Sequence, residues 1–335
     1  MNKSRYPLVV EVIRGNAVES RHEVMAVVTE ERGLVISFWG NVEYLTFPRS
    51  SIKALQAVSF VESEAMNKFD LDEKMLALAC ASHTGEKHHL TVLNDWLKKL
   101  NLKEEDLYCG PAYPAHEGSH QEMIRKGQGP LILANNCSGK HLGIISTCLA
   151  LGEDFKDYHR MDHPAQVRLR KNLSELMKYR IEKLPVGIDG CAIPTHATPL
   201  QNIAMGMSDF FDKKGASEIR RKALRQILKA WQRHPEYISG SSDFATELAK
   251  RTNGRALLKA GAEGAYAGLM PDKGYGFALK VADGHRRAAE LAACEIFIQH
   301  GALTADEAQD LRQWTSPIIR NSRNDVVGLL RLAAP

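Results

Sequence analysis

The chain has 335 residues, of which 44% are hydrophobic and 25% are charged, and its formal net charge at pH 7 is +4. These values are typical of a globular protein with a substantial core and exclude an intrinsically disordered chain. The sequence has no block of lysine and arginine interleaved with aromatic residues, so we expect no nucleic-acid partner.

No apolar run approaches the ~20 residues that a membrane-spanning helix needs, and we expect no membrane partner. The N-terminal residues lead into strand-like sequence without the apolar core of a signal peptide. In such a chain the six cysteines are expected to be thiols or ligands rather than a disulfide framework. A cytoplasmic protein is the resulting expectation.

The predicted elements fall into three groups along the chain. Apolar alternation predicts strands at 7–13, 22–29 and 34–38. Spaced apolar residues between turn signals then predict helices at 71–81, 88–100, 141–151, 164–178, 198–212, 216–233 and 243–251. Short strands return at 256–259, 265–270 and 275–281, and helices at 285–300 and 304–313 are expected to close the chain.

This order predicts an α+β fold, in which N- and C-terminal strands form one antiparallel sheet and a helical region is inserted between them. We expect a single domain over 1–335. Its sheet subregion would cover about 1–45 and 255–335, and its helical subregion about 46–254. An active site would then lie between the two subregions.

Ser50 and Lys53 have the spacing of a serine nucleophile and a lysine base. If Ser50 begins a helix, the two side chains share a face, with Cβ atoms ~5–6 Å apart. A lysine that is neutral can then accept the serine proton, which is the arrangement used in acyl transfer. About one such spacing is expected by chance, and an N-cap serine followed by a solvated lysine is the alternative interpretation.

Two further segments offer catalytic groups. Lys259 lies on a predicted strand before a glycine-containing turn, where it is either a surface lysine or a second cation beside Lys53. Ser82 follows a predicted helix in a polar stretch, where it is either part of a helix C-terminus and loop or a proton relay.

Two polar, glycine-containing segments, 135–141 and 187–194, offer groups for a substrate or a metal. They supply Cys137, Lys140, His141, Asp189 and Cys191. The absence of a C-x-x-C pair makes a zinc site no more than one alternative from spacing alone. Asp189 could instead hold an α-ammonium group.

Seven blocks of the sequence, in order, resemble the Rhizobium etli-type L-asparaginases, the asparaginase II family, whose fold resembles those of serine β-lactamases, penicillin-binding proteins and glutaminases. The blocks are 37–40, 48–53, 80–83, 136–141, 187–191, 259–264 and 278–284. They span nearly the whole chain. Alanine at 260 replaces the hydroxyl residue that a penicillin-binding K-[ST]-G motif would have there.

The resemblance implies roles for individual residues. It implies that Ser50 is the nucleophile paired with Lys53, and that Ser82 and Lys259 form a supporting serine-lysine pair. It also implies a zinc site formed by Cys137, Lys140 and Cys191, with Arg49, His141 and Asp189 near it as substrate-binding residues. A homodimer is implied as well.

The resulting hypothesis is an amidohydrolase that converts L-asparagine to L-aspartate and ammonia through an ester on Ser50, with zinc supporting substrate binding. One alternative is a glutaminase or a serine β-lactamase-like hydrolase on the same scaffold. The other is a catalytically silent zinc-binding protein.

Overall fold

The computed structural model describes residues 3–212 and 215–333. The chain forms two compact units. The first comprises residues 1–51, 198–211 and 247–335, and the second comprises residues 52–197 and 212–246. Within the described residues, no helix has the length and apolarity needed to cross a bilayer.

The strands are β1 (Lys3–Ser4), β2 (Leu8–Arg14), β3 (Ala17–Glu30), β4 (Val35–Trp39), β5 (Leu45–Thr46), β6 (Val186–Ile188), β7 (Pro194–His196), β8 (Thr198–Pro199), β9 (Leu257–Ala260), β10 (Ala265–Met270), β11 (Tyr275–Val281), β12 (Ile318–Arg320) and β13 (Val326–Leu332). The helices are α1 (Lys53–Gln56), α2 (Val58–Glu62), α3 (Ala65–Lys68), α4 (Glu73–Ala79), α5 (Lys87–Lys99), α6 (Glu117–Arg125), α7 (Ser138–Leu151), α8 (Pro164–Leu176), α9 (Leu200–Ser208), α10 (Glu218–Arg233), α11 (Pro235–Ile238), α12 (Phe244–Arg251), α13 (Arg286–Gln299), α14 (Ala305–Asp310) and α15 (Arg312–Thr315).

The main sheet belongs to the first unit. Its strand order is β12-β13-β2-β3-β11-β10-β9, with β4 also paired to β3 and β1 to β4. All pairings are antiparallel except that of β1 with β4. The central contact joins β3 to β11, from Val24↔Val281 to Glu30↔Tyr275. The predicted α+β fold, with one sheet made from both ends of the chain, is confirmed.

Both faces of the sheet are covered by helices of the same unit. A Cβ atom built on Gly276 would lie 2.2 Å from the backbone nitrogen of Ser208, so α9 lies directly on that face. The next residue points the other way, and the rings of Phe277 and Phe297 pack edge to face at 5.0 Å against α13. Alternate residues of β11 therefore meet different helices, which explains why nearly all of β11 is buried.

The prediction that helices close the chain is wrong. After α14 and α15 the chain forms the β12–β13 hairpin, and β13 pairs with β2 from Gly328↔Arg14 to Leu332↔Val10. The polar stretch 321–325 is the turn of this hairpin, because the backbone N–H of Asn321 donates to the carbonyl of Asp325. The sequence does contain a signal for this hairpin, namely two short apolar runs on either side of a polar turn.

Helix α7 organises the second unit by close approach to its neighbours. Residues 138–148 are all buried. A Cβ atom on Gly139 would lie 2.2 Å from the carbonyl oxygen of Leu78, and one on Gly143 would lie 3.3 Å from the Cβ of Ala79. These glycines let α7 pack directly on α4, which fixes the position of the polar residues in its first turn.

In the first unit, the end of β9 packs on the turn that carries Ser50. A Cβ atom on Gly261 would lie 2.9 Å from the carbonyl oxygen of Pro48 and 3.0 Å from the backbone nitrogen of Ser51. It would also lie 2.5 Å from the carbonyl oxygen of Ala265. All three atoms belong to backbone and cannot rotate away, so only glycine fits here.

We therefore expect Gly261→Ala to lower the free energy of unfolding by about 1–3 kcal/mol, the usual cost of overpacking. Gly129→Ala is the matched control, because a Cβ atom there has nothing within 4 Å. Urea denaturation of both variants measures the difference. Equal stability of the two variants would show that the turn at 48–51 can move without cost.

Candidate active site

Ser50 lies in a 3-10 turn, Arg49–Ile52, that leads into α1. Arg49 has a φ of 52°, an uncommon value for a residue with a side chain. The N–H and the hydroxyl of Ser51 both donate to the carbonyl of Pro48, at 3.0 and 2.7 Å, which holds the turn closed. The expectation that Ser50 begins a helix is thus met by a 3-10 turn, while the α-helix starts at Lys53.

Lys53 has no exposed surface. Its ammonium group donates to four acceptors: the carbonyl of Ala81, the hydroxyl of Ser82 at 3.2 Å, the carbonyl of Asn136 at 3.4 Å and the sulfur of Cys137 at 3.1 Å. The alternative interpretation of Lys53 as a solvated lysine is wrong. The second unit therefore brings together three of the predicted residues, Lys53, Ser82 and Cys137.

Ser82 is held by its backbone, since its N–H donates to the carbonyl of Ile238 at 2.9 Å. Its neighbour His83 donates through Nε2 to the hydroxyl of Ser138 at 2.9 Å, and that hydroxyl donates to the carbonyl of Leu133. The other ring nitrogen of His83, Nδ1, accepts a hydrogen bond from the N–H of Gly85. His83 therefore connects the loop after α4 to the start of α7 and has a structural role.

Lys259 lies in β9 of the first unit and is 1% exposed, so it is not a surface lysine. Its ammonium group donates to the carbonyl of Ala260 at 2.6 Å. Ser50 and Arg49 belong to the same unit as Lys259, whereas Lys53 and Ser82 belong to the other. The pairings of Ser50 with Lys53 and of Ser82 with Lys259 stay predictions.

The predicted zinc ligands converge in the second unit. Lys140, in the first turn of α7, donates to the sulfur of Cys191 at 2.9 Å. Cys191 is hydrogen-bonded to Cys137, which directly precedes α7. All three residues are buried, with 3–4% of their surface exposed. They form a continuous chain of contacts that runs from Lys140 through the two sulfur atoms to Lys53.

The two thiols of this chain share one negative charge. The hydrogen bond from Cys191 holds the pKa of Cys137 well below its usual value, despite burial, and the Lys53 and Lys140 ammonium groups add to this effect. The same hydrogen bond raises the pKa of Cys191. Burial lowers the pKa of Lys140, but the Cys137 thiolate outweighs it and leaves that pKa above its usual value. Cys137 is therefore a thiolate between two ammonium groups.

This donor set fits zinc. Two sulfur atoms and one amine nitrogen provide three ligands, which leaves a fourth tetrahedral position for a small molecule. Soft sulfur donors favour zinc over magnesium or calcium. Lys140 and Cys191 each have to lose a proton before they can coordinate a metal.

His141 and Asp189 flank these residues in sequence. His141 is fully buried, and burial holds its pKa well below the usual value, so its ring is neutral. Asp189 is half-buried and shapes a tight turn: its side chain accepts the N–H of Gly190 at 2.7 Å, and its carbonyl accepts that of Ala192 at 2.8 Å.

Sequence reasoning missed Tyr158 and Asn136. The hydroxyl of Tyr158 lies 2.5 Å from Nδ1 of His141, and the carbonyl of Asn136 accepts from Lys53. The contact of Asn136 is made by its backbone, which no residue-type pattern encodes. Tyr158 lies 17 positions beyond His141 in a stretch without a motif, so no sequence signal singles it out.

Glu86, His88 and His89 place one metal-ligand atom each within 4.8 Å of one another. Glu86 and His89 use their ligand atoms in the fold, whereas Nε2 of His88 is buried without a hydrogen-bond partner among the described residues. Glu86 accepts from Thr84 and Ser241, and His89 accepts the N–H of Glu86 through Nδ1 and donates to the carbonyl of Glu236. The cluster joins the start of α5 to α11 and the loop that follows α11.

Comparison with known proteins identifies the family. The L-asparaginase II family model matches residues 10–332, and the chain belongs to this family. Among solved structures, it is similar to a candidate beta-lactamase from Bacteroides dorei DSM 17855. The two are 12% identical over 83% of this chain and 85% of that one, with a TM-score of 0.39. No curated protein matches the chain. The family indicates a hydrolase that acts on amides, with a small-molecule substrate.

The low pKa of Cys137 gives a prediction for metal-free protein. Near neutral pH, the ultraviolet absorbance of a thiolate should be present in the wild type and absent when Cys137 and Cys191 are both replaced by alanine. Since the folded pKa lies below the value of 9.0 usual for a free thiol, ionisation of Cys137 stabilises the fold fully above about pH 9. The difference in unfolding free energy between wild type and Cys137→Ala should shrink as pH falls from there.

Cys148→Ala is the control for this measurement, because burial raises the pKa of Cys148 to about 12. It should leave the thiolate absorbance unchanged, and its stability difference from wild type should be flat below pH 9. A wild type without thiolate absorbance near neutral pH would contradict the assignment of charge to Cys137.

Proposed function

We propose that the chain is an L-asparaginase that hydrolyses the side-chain amide of L-asparagine through a covalent ester on Ser50. The family assignment supports the substrate class. The observation that supports the chemistry is the complete burial of Lys53, which follows Ser50 by three residues where the 3-10 turn leads into α1, with the hydroxyl of Ser82 at 3.2 Å.

In the proposed reaction, the Lys53 ammonium group first loses a proton to solvent. Ser50 Oγ then attacks the side-chain carbonyl carbon while the neutral Lys53 amine takes the hydroxyl proton. Backbone N–H groups stabilise the oxyanion. The C–N bond then breaks, and Lys53 returns the proton to the departing nitrogen, which leaves as ammonia. Water hydrolyses the β-aspartyl ester to give L-aspartate and free Ser50. Ser82 and Lys259 support the exchange of protons.

Recognition of the substrate is assigned to Arg49, His141 and Asp189. The Arg49 guanidinium suits the α-carboxylate of asparagine, because it offers paired donors to a planar anion. The Asp189 carboxylate suits the α-ammonium group. His141 is neutral and buried, so it contributes a hydrogen bond rather than a charge.

The zinc proposed for Cys137, Lys140 and Cys191 would supply a positively charged anchor for the loops that carry these residues. A serine-lysine mechanism needs no metal-activated water, so this zinc is assigned to substrate binding. The homodimer implied by the family resemblance remains part of the proposal.

We expect the purified protein to release ammonia from asparagine, and Ser50→Ala to lose at least ~10³-fold in kcat, because no ester can form without the hydroxyl. Ser51→Ala is the matched control, since the Ser51 hydroxyl is already engaged by Pro48. It should keep most of the activity. An aspartyl adduct on Ser50, detected by mass spectrometry, would identify the intermediate.

The same assay separates the alternatives. Faster ammonia release from glutamine would make the protein a glutaminase, and turnover of nitrocefin would make it a β-lactamase-like hydrolase. Bound zinc without turnover of any amide would favour a silent zinc-binding protein. Substantial kcat in a contamination-free Ser50→Ala preparation would exclude Ser50 as the nucleophile.

Removal of zinc is expected to raise KM more than it lowers kcat, because interactions lost equally from the ground and transition states affect KM alone. The comparison uses chelator-treated and zinc-reconstituted enzyme, with the metal content of both determined. A kcat reduced about a hundredfold or more at saturating asparagine would make zinc catalytic. Native protein that contains no zinc and is indifferent to Cys137→Ala would exclude the site.

A further inference from the structure

Tyr158 connects the backbone of Tyr108 to the ring of His141. It is 2% exposed, and His141 has no exposed surface. The Tyr158 oxygen accepts the backbone N–H of Tyr108 at 2.8 Å and lies 2.5 Å from Nδ1 of His141. The two rings meet nearly edge to face, with an interplanar angle of 77°. This geometry fixes both the position and the plane of the His141 ring.

The contacts also determine which ring nitrogen carries the proton. Tyr108 donates to the Tyr158 oxygen, so the hydroxyl proton of Tyr158 is free to be donated, and among the described residues the acceptor it meets is Nδ1 of His141. A neutral imidazole that accepts at Nδ1 carries its proton on Nε2. The opposite tautomer would leave the buried Tyr158 hydroxyl proton without that acceptor, at the cost of an unmade hydrogen bond.

The proton on Nε2 of His141 is available for a hydrogen bond. Nε2 of His141 is buried and has no protein partner at ordinary hydrogen-bond distance among the described residues. The backbone carbonyl of Cys191 is close enough to the ring to favour a higher pKa of His141, although burial outweighs it. Since Nδ1 is taken by Tyr158, Nε2–H is the donor that the ring leaves for a ligand. Cys191 lies two residues after Asp189. The His141 ring therefore lies beside the segment to which substrate and zinc binding are assigned.

We propose that Tyr158 is a positioning residue: it fixes the His141 ring as the Nε2–H tautomer, so that this buried N–H is available to donate to the substrate. The consequence for substrate binding rests on the proposed function, whereas the tautomer does not. Tyr158 itself needs no contact with substrate or metal. Its removal should misdirect the Nε2 donor while leaving the groups that perform the chemistry in place.

The tautomer is tested by ¹⁵N NMR of metal-free, histidine-labelled protein, with the His141 signals assigned by their loss in His141→Gln. We expect His141 of the wild type to be neutral with its proton on Nε2. Tyr158→Phe should produce a mixture of the two tautomers. A wild-type ring with its proton on Nδ1, or an unchanged tautomer in Tyr158→Phe, would overturn the proposal.

The positioning role is tested by kinetics. Tyr158→Phe should raise KM for asparagine by about 10-fold, with a smaller change in kcat. Tyr237→Phe, which alters another buried tyrosine of the same unit, should change neither.

The His141→Gln background shows whether the hydroxyl acts through the ring. A glutamine amide keeps a donor near the position of Nε2 but offers nothing in place of Nδ1, so Tyr158→Phe should add little to it. Equal effects of Tyr158→Phe in both backgrounds would overturn the proposal. If the wild type hydrolyses no asparagine, the proposed function fails, while the NMR measurement still decides whether Tyr158 fixes the tautomer.

Discussion

The arrangement of the second unit depends on the cost of burying two ammonium groups. An isolated ammonium group loses several kcal/mol of solvation in a protein interior, which must be recovered from acceptors at fixed positions. Lys53 recovers it from two carbonyls, a hydroxyl and the Cys137 sulfur. The loop after α4 and the residues before α7 are thereby held to one geometry. The Cys137 thiolate balances one of these two positive charges, and the Asp189 carboxylate acts on Lys140 as a second anion.

The close packing of α7 on α4 determines where Cys137 and Lys140 lie. Because Gly139 lets α7 lie on the backbone of Leu78, the residues on either side of it, Cys137 and Lys140, are placed within reach of α4 and the loop that follows. A larger residue at 139 would push the start of α7 away from α4, and with it the Cys137 sulfur away from the Lys53 ammonium group. The glycine between the proposed ligands is therefore as much a part of the centre as the ligands themselves.

Local patterns in the sequence predicted most of the elements, and non-local contacts account for what they missed. Apolar spacing identified helices such as α5, α8 and α10, and alternation identified β3 and β11. The β12–β13 hairpin was missed because its stability depends on pairing with β2, more than 300 residues away. Within the site, residue types identified Cys137, Lys140 and Cys191 as neighbours through a family resemblance. The sharing of one proton between the two cysteines follows only from their distance and from the lysines around them, which no spacing rule supplies.

The protonation of the site in the absence of metal also constrains how zinc can bind. Cys137 is already a thiolate, but Cys191 and Lys140 hold protons that each have to leave before a sulfur and a nitrogen can coordinate a cation. The affinity of the proposed zinc site should therefore fall as pH decreases, because two protons compete for the same atoms. Metal binding at the proposed site would also affect Lys53. When the Cys137 thiolate coordinates a metal, less of its negative charge is available to the neighbouring Lys53 ammonium group. Metal binding and the charge state of the proposed base are thus linked through a single sulfur atom.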